Sequence, residues 1–411
     1  MSVEMLLHKR LEKLCPVWTS FLRDLVRVPS PTGFEQKAQA MVASRMRDMG
    51  VFDREVFVVP GPGFHDTSRR YDDRPNVVGR LPGRGDDPFI LNAHVDTAPV
   101  EDPSTWSHPP YAAHTEDGKL FGRGAQDDKA GVAMMLCLAQ AFLEEDIVLP
   151  GDLLLESVIE DEDSGNGTLA CTLAGYTAPA ALVVDGTWPF RIIDAHLGQV
   201  WLDFSITGVP VAACSCSRGK NPIDAAFHLF RALSEFVAQK NDGLSWHGHE
   251  QPYFFNAGAV HAGVWPGAVP EKCSFSCQMG FPPPETPQSL MDRIQEMAAW
   301  VSEQTGCAVS MKPGALSALP FANRDNTLAR VLAQTITRLR KGEMQVAHVA
   351  VMGHCDLRHL KNSQGGASHA CLYGPGGGAN PHVRDEYYLL DHFVPVAQNI
   401  ASAILAWYGR L

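Results

Sequence analysis

Short apolar runs of strand length alternate along this chain with stretches of helical periodicity. No other feature constrains the fold as strongly. Phe89 to His94, Leu153 to Glu160 and Ala180 to Val184 are runs of the kind buried in a central sheet. Leu6, Leu7, Leu11, Leu14, Trp18, Phe21, Leu22 and Leu25 recur at helical spacing and predict a helix over residues 3–27. Further helices are expected over residues 35–49 and, opened by Asp127-Asp128, over residues 130–144. Strands alternating with helices indicate a layered α/β domain.

Near Gly198 the pattern changes. Val200 to Thr207 alternates as a half-buried strand does. A helix from Pro222 to Gln239 follows, then strand-like runs Ala257 to Val264 and Cys273 to Gly280, a helix from Gln288 to Glu303 and a short strand from Cys307 to Met311. This β-α-β-β-α-β order is that of a ferredoxin-like split βαβ sandwich. After Pro313 the chain reads α/β again, with a helix near Thr327 to Leu339. A chain of 411 residues is too long for one ordinary core. The expectation is one domain interrupted by another: residues 1–198 and 312–411 as the outer domain, and residues 199–311 as the insert.

The strand-like runs end on residues that carry chemistry. His94-Val95-Asp96 places two side chains on the same side of a strand end, where one imidazole nitrogen can hold a metal and the other can be oriented by Asp96. Gly122-Arg123-Gly124-Ala125-Gln126-Asp127-Asp128 brings a carboxylate pair to a glycine-bent turn, and one carboxylate can bridge two cations. Glu160-Asp161-Glu162-Asp163 packs four carboxylates behind an apolar run, where they repel unless solvated or bound to cations. Asp185 ends another run, and the glycine-rich stretch 374–382 delivers His382. Each signal alone has a bland account: a surface strand end, a helix cap, a solvated turn, an exposed loop histidine. Taken together they supply ligands for two ions and a free carboxylate to move a proton, as two-metal hydrolases require.

The remaining composition narrows the classes. The net charge is −12 and there is no long basic run, which argues against nucleic acid as a partner. The first ten residues turn charged before any apolar core, unlike a secretory signal, and no run approaches the roughly eighteen apolar residues of a membrane span. Ten scattered cysteines read as reduced thiols and not as a disulfide framework. A cytoplasmic enzyme is the expected placement.

In this arrangement the chain resembles the di-zinc deacylases and exopeptidases that include aminoacylase, acetylornithine deacetylase, succinyl-diaminopimelate desuccinylase and glutamate carboxypeptidase. The resemblance runs from Val28-Pro29-Ser30-Pro31-Thr32-Gly33, through the motifs above, to Gly353-His354-Cys355-Asp356-Leu357-Arg358 and the segment 379–386. It implies a zinc-peptidase-like three-layer α/β catalytic domain with an inserted lid that often forms a homodimer interface. It implies that His94, Asp127 and Asp185 bind one metal and that Asp127, Glu162 and His382 bind the other. Asp96 would orient His94, the Asp127–Asp128 peptide would be cis, and Asp161 would be the general base. Nitrogen and oxygen ligands suit two zinc ions, with manganese or cobalt as alternatives.

Three departures from the family pattern bear on the reaction. The base position usually holds Glu and here holds Asp161; sliding the register by one would make Glu162 the base and Asp163 the ligand. The lid histidine that stabilises an oxyanion in relatives aligns with Ala212, which leaves His354, Arg218 and Asn256 as candidate replacements. The arginine that relatives place near Gly280 is missing, and Arg358 is the candidate for holding a substrate carboxylate. The expected activity is cleavage of the amide of an N-acyl amino acid or small dipeptide-like, carboxylate-bearing compound by a metal-bridged hydroxide. The alternatives are hydrolytic deamination of an activated aromatic amine, which needs no oxyanion donor, and a family member without catalysis.

Overall fold

The computed structural model describes residues 1–61, 63, 64, 69–186, 191–323, 325–342, 346–362, 367, 369–379 and 381–410. The chain divides into two compact units. The first comprises residues 1–194, 323–349 and 355–411, the second residues 195–322 and 350–354.

The first unit is built on a mixed sheet. From one edge its strands run Phe52–Val56, Asn76–Leu81, Gly151–Val158, Gly85–His94, Ala180–Val183 and His369–Leu372, followed by Arg191–His196, in which the chain leaves the unit. Gly151–Val158, Gly85–His94, Ala180–Val183 and His369–Leu372 are mutually parallel. Their side chains are buried along most of their length, which is why the runs are nearly continuous in apolar residues and not alternating.

Helices cover this sheet in two groups. Val3–Val26, Lys129–Glu144, Thr327–Leu339 and Phe393–Trp407 pack on one another, while Gln36–Asp48 and Asn166–Leu173 pack against Asn76–Leu81. The expected layered α/β architecture is therefore present. Lys129–Glu144 is apolar almost all round because it is a core helix, with only Gln140, Leu143 and Glu144 outside the fully buried set. Asp128 caps it by accepting from the Gly131 N–H at 3.1 Å. Gly131 has no room for a side chain: a Cβ there would lie 1.8 Å from the Val184 carbonyl oxygen.

The second unit has the β-α-β-β-α-β order. Its four strands lie in the spatial order Phe254–Ala262, Lys272–Phe281, Gly198–Thr207, Ala308–Ala318, with every neighbouring pair antiparallel. Pro222–Asn241 and Pro287–Thr305 pack on this sheet around Leu202, Phe204, Leu229, Phe275 and Ile294. The last strand runs well past Met311, where the apolar pattern predicts its end. Ala308–Ala318 is an edge strand, so Pro313 is tolerated, and a register shift between Pro313 and Ser317 lets pairing resume.

Candidate metal centre

The parallel strands all point their carboxyl ends to one edge of the sheet, and ligands in such sheets collect there. His94 is the last residue of its strand. Glu160–Asp163 follow Gly151–Val158, Asp185 follows Ala180–Val183, His382 comes from the loop after His369–Leu372, and Asp127 precedes the buried helix. The sequence thus brings these side chains together although they span nearly three hundred positions.

Asp127 lies between the two imidazoles. Its Oδ1 is 3.1 Å from His94 Nε2 and its Oδ2 is 3.0 Å from His382 Nε2. His382 Nε2 is also 2.9 Å from Glu162 Oε2, while the other Glu162 oxygen accepts from the Ala98 N–H at 3.0 Å. Two clusters of potential ligands result: Asp127, Glu162 and His382 in one, and His94, Asp128 and Asp185 in the other, with the ligating atoms of each within 4.8 Å of one another. Asp128 takes a different part from Asp127, because its carboxylate is occupied by the His94 and Gly131 backbone N–H groups. The Asp127–Asp128 peptide is cis.

Asp96 sits beneath His94. The His94 Nδ1 is 3.0 Å from the Asp96 carbonyl oxygen and 3.3 Å from its carboxylate. That carboxylate also accepts from Thr32 Oγ1 and from the Asp161 and Glu162 N–H groups, so one buried side chain orients the ring and anchors the acidic loop. Asp161 Oδ2 stands 3.8 Å from His94 Nε2. Asp163 turns the other way, pairing with Arg69 and with the Ser164 N–H.

The electrostatics are those of a site short of positive charge. Burial, then the charge of Asp127, pushes the Asp185 and Glu162 carboxyls up. Burial also raises Asp161, against the pull of His94 and Arg358. Burial alone would raise Asp127, but hydrogen bonds from His382 and His94 outweigh it and hold its carboxyl well below the usual range. His382 is pushed up to about 11, chiefly by its hydrogen bond to Asp127 and then by Glu162. The raised His94 and His382 imidazoles are the positive partners these carboxylates find. A set of buried carboxylates and two imidazoles is the donor chemistry of divalent metal ions, and the residues fit two of them.

Of the residues expected to touch substrate, Arg358 belongs to the first unit. It is 4 % exposed, donates from Nη1 to the Cys355 carbonyl at 2.7 Å, and keeps Nε and Nη2 buried with no hydrogen-bond partner among the described residues. Asn256, His354, Arg218 and Ala212 belong to the second unit. Asn256 pairs with Gln278 across two strands and lines a cavity of about 380 Å³ with Trp201 and Asp203. The His354 Nδ1 lies 2.8 Å from Gln199 Oε1.

Two further carboxylates support the site: Glu386, and Glu160 at the head of the acidic run. Glu386 accepts from the Gly124, Gln126 and Asp127 N–H groups and from Arg123 Nη1 at 2.8–3.2 Å, and so holds the turn that carries Asp127. Glu160 is bound by Arg74, Tyr71 and Ser164, with Arg74 also bidentate on Glu35. Glu386 closes the last run of the family resemblance, and that was its only signal.

Comparison with known proteins agrees with this geometry. A sequence model described as peptidase family M20/M25/M40 matches residues 90–406. The chain is 27% identical over 410 residues to N-formyl-4-amino-5-aminomethyl-2-methylpyrimidine deformylase of Bacillus subtilis, covering 90% of this chain and 89% of that protein. It is 27% identical over 327 residues to a succinyl-diaminopimelate desuccinylase of Cereibacter sphaeroides, covering 76% and 80%. Among solved structures it is similar to the Bacillus subtilis YXEP protein, described as a dinuclear metal-binding peptidase, with a TM-score of 0.66 at 15% identity over 98% of this chain and 99% of that one.

Proposed function

The chain belongs to peptidase family M20/M25/M40 and is a metal-dependent hydrolase of amide C–N bonds, and from that premise we propose that it removes the acyl group from an N-acyl amino acid or a small dipeptide-like compound carrying a carboxylate. The observation that carries the reading is the placement of Asp127, with one oxygen toward His94 and the other toward His382.

The centre takes two divalent ions. His94, Asp127 and Asp185 are assigned to one and Asp127, Glu162 and His382 to the other. Zinc is the first choice for this nitrogen and oxygen donor set, ahead of manganese or cobalt. When bound, such a pair polarises the scissile carbonyl and lowers the pKa of a shared water.

The chain's own groups do the rest. Asp161 takes the proton of the attacking water on its carboxylate and delivers it to the leaving nitrogen. Its 3.8 Å approach to His94 supports that role, and the pairing of Asp163 with Arg69 argues against the register in which Glu162 is the base. Asp96 fixes the tautomer and direction of the His94 ring. Arg358 offers the substrate carboxylate its Nε and Nη2 donors. Asn256 and His354 are assigned to substrate contact.

A lid-mediated homodimer is part of the proposal. The strand Phe254–Ala262 is exposed from Asn256 onward and lies at the edge of its sheet, with one side unpaired among the described residues. All ten cysteines are free, which fits a reducing, cytoplasmic setting. No described helix is long and apolar enough to cross a membrane.

The test is hydrolysis of a panel of N-formyl, N-acetyl and N-succinyl amino acids by enzyme loaded with zinc, manganese or cobalt. Metal-dependent turnover that disappears in Asp161→Asn is expected. Absence of turnover of every amide would overturn the reading. Ala212, which brings only a methyl to the position of the relatives' lid histidine, favours one rival, deamination of an aromatic amine. Ammonia release without amide cleavage would select it.

A further inference from the structure

Away from the centre just described, the first unit holds another set of metal-ligating side chains: His108, His114 and Glu116. The backbone builds it. His114–Glu116 and Lys119–Phe121 form a hairpin closed by Asp117 and Gly118, both at positive φ (48° and 73°), as a two-residue turn of this kind demands. His114 and Glu116 are two apart on one strand, so they share a face. His108 is brought over that face by the preceding loop. Ser107 is held there by Asp385, which accepts from its N–H at 2.7 Å and from its hydroxyl at 3.1 Å.

The two imidazoles stack, with centroids 4.0 Å apart and planes 18° apart, and Phe121 supports them at 4.9 and 6.4 Å. Both Nε2 atoms face one oxygen of Glu116, at 3.7 Å from His108 and 4.0 Å from His114. Ligands of a tetrahedral zinc ion at bond lengths near 2.0–2.1 Å stand about 3.3 Å apart. The set therefore needs to contract by about 0.4 Å at His108 and about 0.7 Å at His114, and the stacked rings must tilt so that both Nε2 atoms converge on one ion. His114 and Glu116 are exposed, which leaves their side chains free to make that adjustment.

We propose that His108, His114 and Glu116 form a third, surface binding site for a zinc-class dication, separate from the dinuclear centre. Two imidazoles and one carboxylate are the ligand class of zinc, nickel and copper(II) and not of magnesium or calcium. Three protein ligands leave one position open to water or to an external ligand. The site shares no residue with the dinuclear centre, but it sits on the sheet whose third strand, Tyr387–Leu389, follows directly on Glu386.

The test is equilibrium dialysis of the protein, as isolated with its resident metals, against zinc ion alone, with bound metal counted by mass spectrometry. The wild type should bind one equivalent more than the His108→Gln/His114→Gln variant, and zinc should raise the wild-type melting temperature above that of the variant. The variant should melt with the wild type in chelator, which shows that it folds. Equal metal content in the two proteins overturns the proposal. Failure of the dinuclear reading would lower both totals alike and leave the difference of one, so the two outcomes are separable.

Discussion

Glu386 holds the backbone of Asp127: its Oε1 accepts from the Asp127 N–H at 3.2 Å and from the Gln126 N–H at 3.0 Å. The carboxylate proposed to be shared by the two metals is thus positioned from a residue more than 250 places away. Glu386 is buried against Arg123, so Glu386→Ala leaves an unpaired buried cation and several backbone donors without acceptors. Such truncations cost about 3–5 kcal/mol. Loosening a residue that orients a ligand lowers metal affinity by about 10- to 100-fold. Denaturant midpoints and metal titration would read the two effects. A variant with unchanged metal affinity would show that Glu386 is structural only.

Asp161→Asn keeps the shape of the side chain and removes its basicity. We expect kcat to fall by about 10²- to 10⁴-fold with KM little changed. Metal content should stay at the wild-type level, because Asp161 is not among the assigned ligands. A loss of metal equal to the loss of rate would move Asp161 from base to ligand.

His382 is the most exposed member of the centre, with a 58% exposed side chain. His382→Ala should therefore release one ion while His94, Asp127 and Asp185 retain the other. The expected stoichiometry at the dinuclear centre drops from two to one, and activity is lost with it. Removal of both ions by chelator should abolish turnover reversibly, with activity returning on addition of zinc, manganese or cobalt.

Glu156 gives the protein a pH-dependent weakness. It is buried in the middle of the sheet, accepts one hydrogen bond from Asn92 at 3.0 Å, and has no hydrogen-bond partner for Oε1 among the described residues. Burial, opposed by the Asn92 hydrogen bond, pushes its carboxyl from 4.5 to about 8. Because the folded state holds the proton more tightly than the unfolded chain, the contribution to stability is full below about pH 4.5, declines as pH rises, and is lost by about pH 8. A shift of this size corresponds to a loss on the order of 5 kcal/mol. Glu156→Gln should flatten that slope between pH 5 and 8 in urea melts. An unchanged slope would refute the assignment.

Arg74 bridges Glu35 and Glu160 with both acids fully buried. Arg74→Met strands two carboxylates and should destabilise the protein by about 3–5 kcal/mol. Glu160 adjoins Asp161, so kcat should fall as well, even where the protein remains folded. Activity at the wild-type level in the folded variant would separate this network from the site.

The parallel core and the ligand positions proposed for it were legible because a buried strand writes itself as an apolar run, and each run here ends on His94, Glu160–Asp163 or Asp185. The inserted unit was legible from its change of period at Gly198. What the sequence hid depends on partners distant along the chain. Glu386 and Arg74 look like ordinary surface charges until folding brings Asp127 and Glu35 to them. Asp128 and Asp127 are indistinguishable as letters, yet one caps a helix and the other faces two imidazoles. The hairpin around Asp117 and Gly118 is too short and too exposed to show alternation, so His108, His114 and Glu116 drew no notice. Pro313 marked an end that the edge position of its strand made unnecessary.

The missing side chain at Gly131 has a wider reach. With the Val184 carbonyl oxygen where a Cβ would stand, the start of the helix after Asp128 and the end of the strand before Asp185 meet backbone to backbone. The spacing between Asp127 and Asp185 is then fixed by main-chain contact that no ordinary substitution of neighbouring side chains can tune. Remodelling this enzyme for a larger ion would mean shifting an entire helix, whereas the exposed His382 side could be redesigned with little disturbance to the rest.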